Sequence, residues 1–185
     1  MGRGGPGRTA GAVNYLRAKG FHGIGLIAAV VLGTAGRWGA IGFLAAGWGV
    51  QTVFEIRRRS ETRPGPSGAW WTWAGCLGAA VCFPAPDIAR AAFLFSAVAD
   101  PVGEWVGRTV GHLRIGAKSA EGTLAVFLSA WAVGVWGLTA GAGGAEPLLA
   151  ALAVAVVEAF STRWNDNVTV PLAGGAVLTA LRLWV

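Results

Sequence analysis

The stretch "LLAALAVAVVEAFSTRWNDNVTVPL", residues 148–172, sets the problem this chain poses. Ten apolar residues in a row lead into Glu158, a short polar segment follows, and apolar residues resume at Val168. Strict apolar/polar alternation is absent, which argues against a transmembrane barrel. The run instead has the composition of a helix surrounded by apolar groups on every side. The same rhythm extends over the rest of the chain. A spanning helix needs roughly 20 apolar residues, and candidate spans fall near 20–36, 38–56, 69–85, 86–103, 122–141, 146–161 and 168–185. The expected fold is all-α: a polytopic transmembrane helical bundle of about seven spans.

Composition agrees with this reading. The 185 residues are 54% hydrophobic and 13% charged, with 30 Gly and 10 Trp, far from an average soluble domain. No repeat is visible, so residues 1–185 are read as a single integral membrane domain. Its clearest linker is "RRRSETRPGPSG", 57–68, where an Arg run and a Pro/Gly cluster cannot continue an apolar helix. Trp38, Trp70, Trp71, Trp105, Trp164 and Trp184 sit near span ends, where amphipathic rings anchor at the membrane interface. Cys76 and Cys82 have no metal-ligand spacing and are read as packing residues. The basic, Gly-rich N-terminus is too long for the n-region of a cleavable signal peptide, and no such peptide is expected.

The net charge of +6 would suggest nucleic acid in a soluble protein, but its distribution points elsewhere and no nucleic-acid partner is expected. With a cytoplasmic N-terminus, residues 1–19, the linker 57–68 and the loops 104–121 and 162–167 share one side. These segments hold 12 of the 15 Lys and Arg, leaving Arg37, Arg90 and Arg182 for the other half. The positive-inside rule then gives an N-in, C-out topology and places the protein in the cell membrane.

One stretch gathers unusual chemistry: "VADPVGEWVGRTVGHLRIGAKSAEGT", 98–123. Asp100 and Glu104 are four residues apart and share a helix face, which Arg108 continues. Asp100 followed by Pro101 also suits a helix N-cap. Gly103, Gly107 and Gly111 either let helices approach closely or free backbone N–H groups for phosphate. A carboxylate inside the membrane is costly, roughly 2.5–3.5 kcal/mol at a helix centre, so Glu158 needs a partner or a task. In the expected topology Asp100, Glu104, Glu121, Glu158 and Asp166 reach the same membrane face as Arg108, Arg114 and Lys118. Carboxylates with cations are what a metal-bound polyphosphate needs. "GHLRIGAKS" is not a phosphate loop, because Ala117 intrudes before Lys118 and no strand is expected ahead of it. His22 and His112 do not read as a zinc pair, and no G-x-S-x-G nucleophile elbow occurs.

The order of these elements resembles the CTP-dependent lipid kinases, the family of phytol kinase, dolichol kinase and CTP-dependent diacylglycerol kinase. The likeness rests on "ADPVGEWVGRTVG" (99–111), "KSAEGT" (118–123) and "EAFSTRWNDNVTVPL" (158–172), with weaker echoes in "LRAKGFHG" and "FEIRRR". Departures are the short chain and Glu104, where many relatives have a small residue. The resemblance implies transfer of the γ-phosphate of CTP to the hydroxyl of a membrane lipid alcohol (phytol, a polyprenol or dolichol, or diacylglycerol), with Mg²⁺ as cofactor and 104–121 and 162–167 as catalytic cytoplasmic loops. Mg²⁺ would be held by Asp100 with Glu104 or Asp166. Gly107, Arg108, Gly111, Arg114, Lys118, Ser119, Glu121, Gly122 and Asn167 would hold the nucleotide. Lys118 would also act in catalysis, and Glu158 or Asp166 would be the general base. Two alternatives stay open: a phosphatidate cytidylyltransferase-like enzyme, which shares a G-R…G…K-[ST]-x-E-G segment but whose Lys-Asp pair and Pro-Gly-His-Gly signature are absent here, and a small proton- or cation-coupled transporter using the same carboxylates. A homo-oligomer is compatible with either reading.

Overall fold

The structure, a computed structural model, describes residues 20–58, 65–115, 118–138, 144–161 and 165–184. The basic N-terminus 1–19, Arg59 and Arg63 of the linker, and Arg163 and Trp164 lie outside the described residues. The chain is mostly helical. After a 3₁₀ turn, Gly20–His22, come α1 (Gly23–Arg58), α2 (Gly68–Cys82), α3 (Pro86–Leu94), a π-helical turn (Phe95–Ala99) and α4 (Asp100–Thr109). A two-residue hairpin, β1 (Arg114–Ile115) and β2 (Lys118–Ser119), leads into α5 (Ala120–Gly137), α6 (Ala145–Phe160) and α7 (Asp166–Trp184).

Local chemistry accounts for most of the boundaries. Gly36 breaks α1 into two limbs; its φ of 70° and ψ of −176° suit only glycine. The second limb lies along α2, where Trp70 Nε1 donates to Thr52 Oγ1 at 2.9 Å and Arg37 Nη2 to the Val81 carbonyl at 2.9 Å. That arginine, together with a bond from its Nε to the Ala80 carbonyl, satisfies acceptors left over at the end of α2. The first limb packs on α3, so closely that a side chain at Gly25 would meet the Phe93 carbonyl at 2.6 Å. Ser67 caps α2 and Pro86 begins α3. Phe93, Phe95, Leu44, Leu178, Val126 and Val154 fill the centre, with Gly174 and Gly175 lying against the rings of Phe95 and Phe83.

The all-helical class holds, but about seven spans is not supported. Two helical stretches, Gly20–Arg57 and Ala120–Gly137, are long and apolar enough to cross a membrane, and the first is interrupted at Gly36. The α2 and α6 helices have 15 and 16 residues, so they extend about 23 Å at 1.5 Å per residue, against roughly 30 Å of hydrocarbon. The α3–π–α4 unit is longer but carries Asp87, Arg90, Asp100 and Glu104, while α7 carries Asp166, Arg182 and Pro171.

Polar and apolar groups are distributed inside out. Leu124, Leu128, Trp131 and Val135 recur at helical spacing along α5, and Leu149, Leu152, Val156 and Phe160 along α6; all eight are exposed. Asp87, Asp100, Glu158 and Asn167 are buried. Asp87 receives a bidentate pair from Arg182 (3.0 and 2.6 Å), with Glu146 Oε2 3.6 Å from the same guanidinium. This network ties α3, α6 and α7 at one end of the bundle. The remaining buried carboxylates gather toward the other.

Candidate active site

Close helix approach builds this second end. Pro101 has no N–H, and the chain accommodates it by widening: the Asp100 N–H reaches back five residues to the Phe95 carbonyl in the π turn. Asp100 is therefore inside a continuous helix, with helical φ and ψ rather than the extended backbone of an N-cap, so the N-cap reading fails. The α4 helix then runs against α5 through glycines. A side chain at Gly103 would strike Val126, and one at Gly122 would lie 2.9 Å from the Gly103 carbonyl. Ser119 caps α5 by accepting from the Gly122 N–H at 3.1 Å, and its hydroxyl also lies against Gly107 and Gly111. Gly103 and Gly122 thus bring two helices into close contact, and Gly103, Gly107, Gly111 and Gly122 also line a cavity.

That cavity has a volume of about 500 Å³. Its lining brings together Gly103, Glu104, Gly107, Arg108 and Gly111 from α4 and the residues after it, Arg114, Lys118 and Ser119 from the hairpin, Gly122 and Thr123 from α5, and Glu158 from α6. Seven of the nine residues expected to bind nucleotide line it, Gly107, Arg108, Gly111, Arg114, Lys118, Ser119 and Gly122; Glu121 and Asn167 do not. Lys118 Nζ lies 2.6 Å from Glu158 Oε1 and 3.2 Å from Asp166 Oδ2. Burial disfavours the charged lysine, but the bond and charge of Glu158, then those of Asp166, outweigh it and raise its pKa above the ordinary lysine value. The other oxygen of Glu158, Oε2, is buried without a hydrogen-bond partner, as is Thr123 Oγ1. Arg108 Nη2 pairs with Glu104 Oε1 at 2.5 Å.

Other expected site residues are placed elsewhere. Glu121 accepts from the backbone N–H groups of His112 and Leu113 at 3.0 and 3.1 Å, bracing the approach to the hairpin. These bonds, that of His112 first, hold its carboxyl below the ordinary range. Asn167 faces Thr72 of α2, its Oδ1 accepting from Thr72 Oγ1 at 3.2 Å while its Nδ2 donates to Asn165 Oδ1 at 2.8 Å. Asp100 is buried beside His22, with Oδ2 3.5 Å from Nε2. The opposite ring nitrogen of His22, Nδ1, donates to the Ser96 carbonyl at 2.9 Å, so both ring nitrogens face oxygens. His22 and Thr123 are the participants that spacing did not single out. For His22 the only signal was its place in "LRAKGFHG", and for Thr123 its place at the end of "KSAEGT".

Among the described residues no three His, Cys, Asp or Glu side chains converge as metal ligands. Magnesium seldom needs such a cage, since one or two carboxylates plus substrate phosphates and water suffice. Glu104 on the cavity wall and the unpartnered Glu158 Oε2 fit that shared mode. Comparison with protein-family profiles, curated proteins and solved structures finds no match to this chain.

Proposed function

We propose that this is a membrane-embedded kinase that transfers the γ-phosphate of CTP to the hydroxyl of a lipid alcohol. The observation that carries the reading is the cavity in which Arg108, Arg114 and Lys118 face Glu104 and Glu158 at one end of an apolar-surfaced bundle. Three cations and several close-packed glycines suit a polyphosphate, since charge and backbone N–H groups can both approach its oxygens. Glu104 would help hold Mg²⁺, which when bound would neutralise phosphate charge. Phosphoryl transfer needs positioning and electrostatics more than covalent help from the protein.

In this mechanism Arg108 and Arg114 hold the nucleotide phosphates. Lys118, fixed by Glu158 and Asp166, sets its ammonium beside the γ-phosphate. Glu158 Oε2 takes the proton of the lipid hydroxyl as its oxygen bonds the γ-phosphorus; the bond to the β-phosphate oxygen breaks, and CDP leaves. Glu158 is favoured over Asp166 as the base because it lines the cavity. Asp100 and His22 lie behind it and position α4. The exposed apolar stripes of α5 and α6 support a site at the membrane boundary, and the positive-inside rule makes that face cytoplasmic. The purified protein in lipid, given Mg²⁺, a lipid alcohol and CTP labelled at the γ-position, should produce labelled lipid monophosphate and CDP. Release of pyrophosphate dependent on phosphatidate, with no CDP, would instead assign the cytidylyltransferase reaction.

A further inference from the structure

A second hollow, about 340 Å³, lies between α5 and α6. Its walls are Leu124 and Phe127 of α5 and Leu152, Val156 and Phe160 of α6, with Thr123 at its polar end. Thr123 also lines the first cavity, so the two spaces meet at this residue. We propose, building on the kinase reading, that this groove holds the hydrocarbon next to the acceptor hydroxyl, and that it selects a single-chain alcohol over diacylglycerol.

Three observations support this occupant. First, the groove is continuous with the site through Thr123, whose Oγ1 is buried and unpartnered, as is Oε2 of Glu158, a residue 97% buried and facing the polar cavity. A hydroxyl at the end of the groove would be oriented by Thr123 Oγ1, and Glu158, which lines the adjoining cavity, would take its proton. Second, Thr123 is the one polar lining residue of the groove among the described residues. Diacylglycerol carries two ester carbonyls within a few bonds of its hydroxyl, and these would lose water with no donor beyond Thr123, a substantial penalty. A plain hydrocarbon chain has no such groups. Third, Leu124, Leu152, Val156 and Phe160 are all exposed, so the groove opens onto the apolar surface along which a lipid would approach. From Leu152 to Phe160 it runs about 12 Å along α6 at 1.5 Å per residue, less than half the roughly 30 Å hydrocarbon core. It therefore senses the part of the chain nearest the hydroxyl and leaves the rest in the bilayer.

The full chain in lipid nanodiscs, with Mg²⁺ and CTP, should form CDP from long single-chain alcohols at a kcat/KM at least about tenfold above that for diacylglycerol, the scale set by burying unpaired polar groups. Val156→Trp, which fills the groove from an exposed position, should raise the KM for a long single-chain alcohol about tenfold while leaving CTP binding unchanged. Val135→Trp, on the exposed face of α5 away from the groove, should leave both unchanged. Preference for diacylglycerol, or a Val156→Trp enzyme with unaltered KM for the alcohol, would overturn the groove while CDP formation still upheld the kinase. Absence of CDP with every alcohol would remove the kinase reading and the groove with it. A long-chain alcohol bearing a photoreactive group near its hydroxyl should label α5 or α6 in the groove, and labelling confined to other helices would also overturn the assignment.

Discussion

Lys118 Nζ lies 2.6 Å from Glu158 Oε1 across 40 residues of sequence, and the pair joins the hairpin to the end of α6. The glutamate is buried and the lysine partly exposed, so the two are unequal partners. Without Lys118, the cations left in the cavity lining among the described residues are Arg108 and Arg114.

Lys118→Met should therefore cost more stability than Glu158→Gln. Removing one member of a buried pair costs up to about 3–5 kcal/mol, reduced here because Lys118 reaches solvent. The double variant should recover most of the loss, giving a favourable coupling in a double-mutant cycle of chemical or thermal unfolding. Additive losses would mean the contact contributes nothing. Both single variants should lose lipid phosphorylation by about 100-fold or more, the scale of removing a group that stabilises charge in the transition state.

The carboxylates should separate by metal dependence. Glu104 faces the cavity, whereas Asp100 is packed against His22. Glu104→Gln should raise the Mg²⁺ concentration for half-maximal activity about tenfold. Asp100→Asn should lower turnover and thermal stability, and His22→Ala should lower them to a similar extent, with little further loss in the double variant. A Mg²⁺ shift in Asp100→Asn equal to that in Glu104→Gln would restore Asp100 as a metal ligand.

Much of this arrangement could be read from the chain alone, because carboxylates inside apolar runs are rare enough to point at each other. Glu158, Lys118, Arg108, Arg114 and the glycines after Asp100 were all expected on one face. The pairing of His22 with Asp100 was not, since it crosses from the 3₁₀ turn before α1 to the start of α4 and depends on how the chain widens ahead of Pro101. Asn167, expected at the nucleotide, is placed between α2 and α7, where its amide accepts from Thr72 and Gly75 lets the Asn167 backbone come close. Span number was overcounted because apolar composition does not report helix length, and α2 and α6 stop short.

Glu121 gives a pH-dependent prediction. Its folded pKa is depressed from 4.5 by the amides of His112 and Leu113, so its contribution is present above that value and lost as pH falls through the lower folded pKa. Hydrogen exchange at these two amides should therefore show reduced protection in acid, after correction for intrinsic rates. Glu121→Gln should reduce protection at neutral pH and abolish the acid step. An unchanged acid step in that variant would assign it to another group.

Membrane orientation can be read from two positions on α2. Cys82 is exposed at its C-terminal end, and Pro66 precedes its N-terminus. With the N-terminus cytoplasmic, an impermeant maleimide should modify Cys82 in intact cells. A cysteine introduced by Pro66→Cys into a Cys82→Ser background should react only after permeabilisation. The reverse pattern would invert the topology and put the site outside.

The glycine contact between α4 and α5 is the last test, because it links packing to chemistry. A side chain at Gly103 would collide with Val126 and approach the Gly122 carbonyl at 3.1 Å, so Gly103→Ala should force the helices apart. Overpacking of this kind costs about 1–3 kcal/mol. The separation would move Gly107 and Gly122 as well as Arg108, widening the cavity on the side where the phosphates are proposed to lie. The KM for CTP should rise with the stability loss, while the KM for the lipid alcohol, set between α5 and α6, changes less. Val126→Ala removes the branched side chain that Gly103→Ala would strike. Combined with Gly103→Ala, it should restore part of both the stability and the CTP affinity, even though Val126→Ala alone leaves a small cavity and destabilises. If the combined variant is as impaired as the sum of the two, close approach at Gly103 does not shape the nucleotide site.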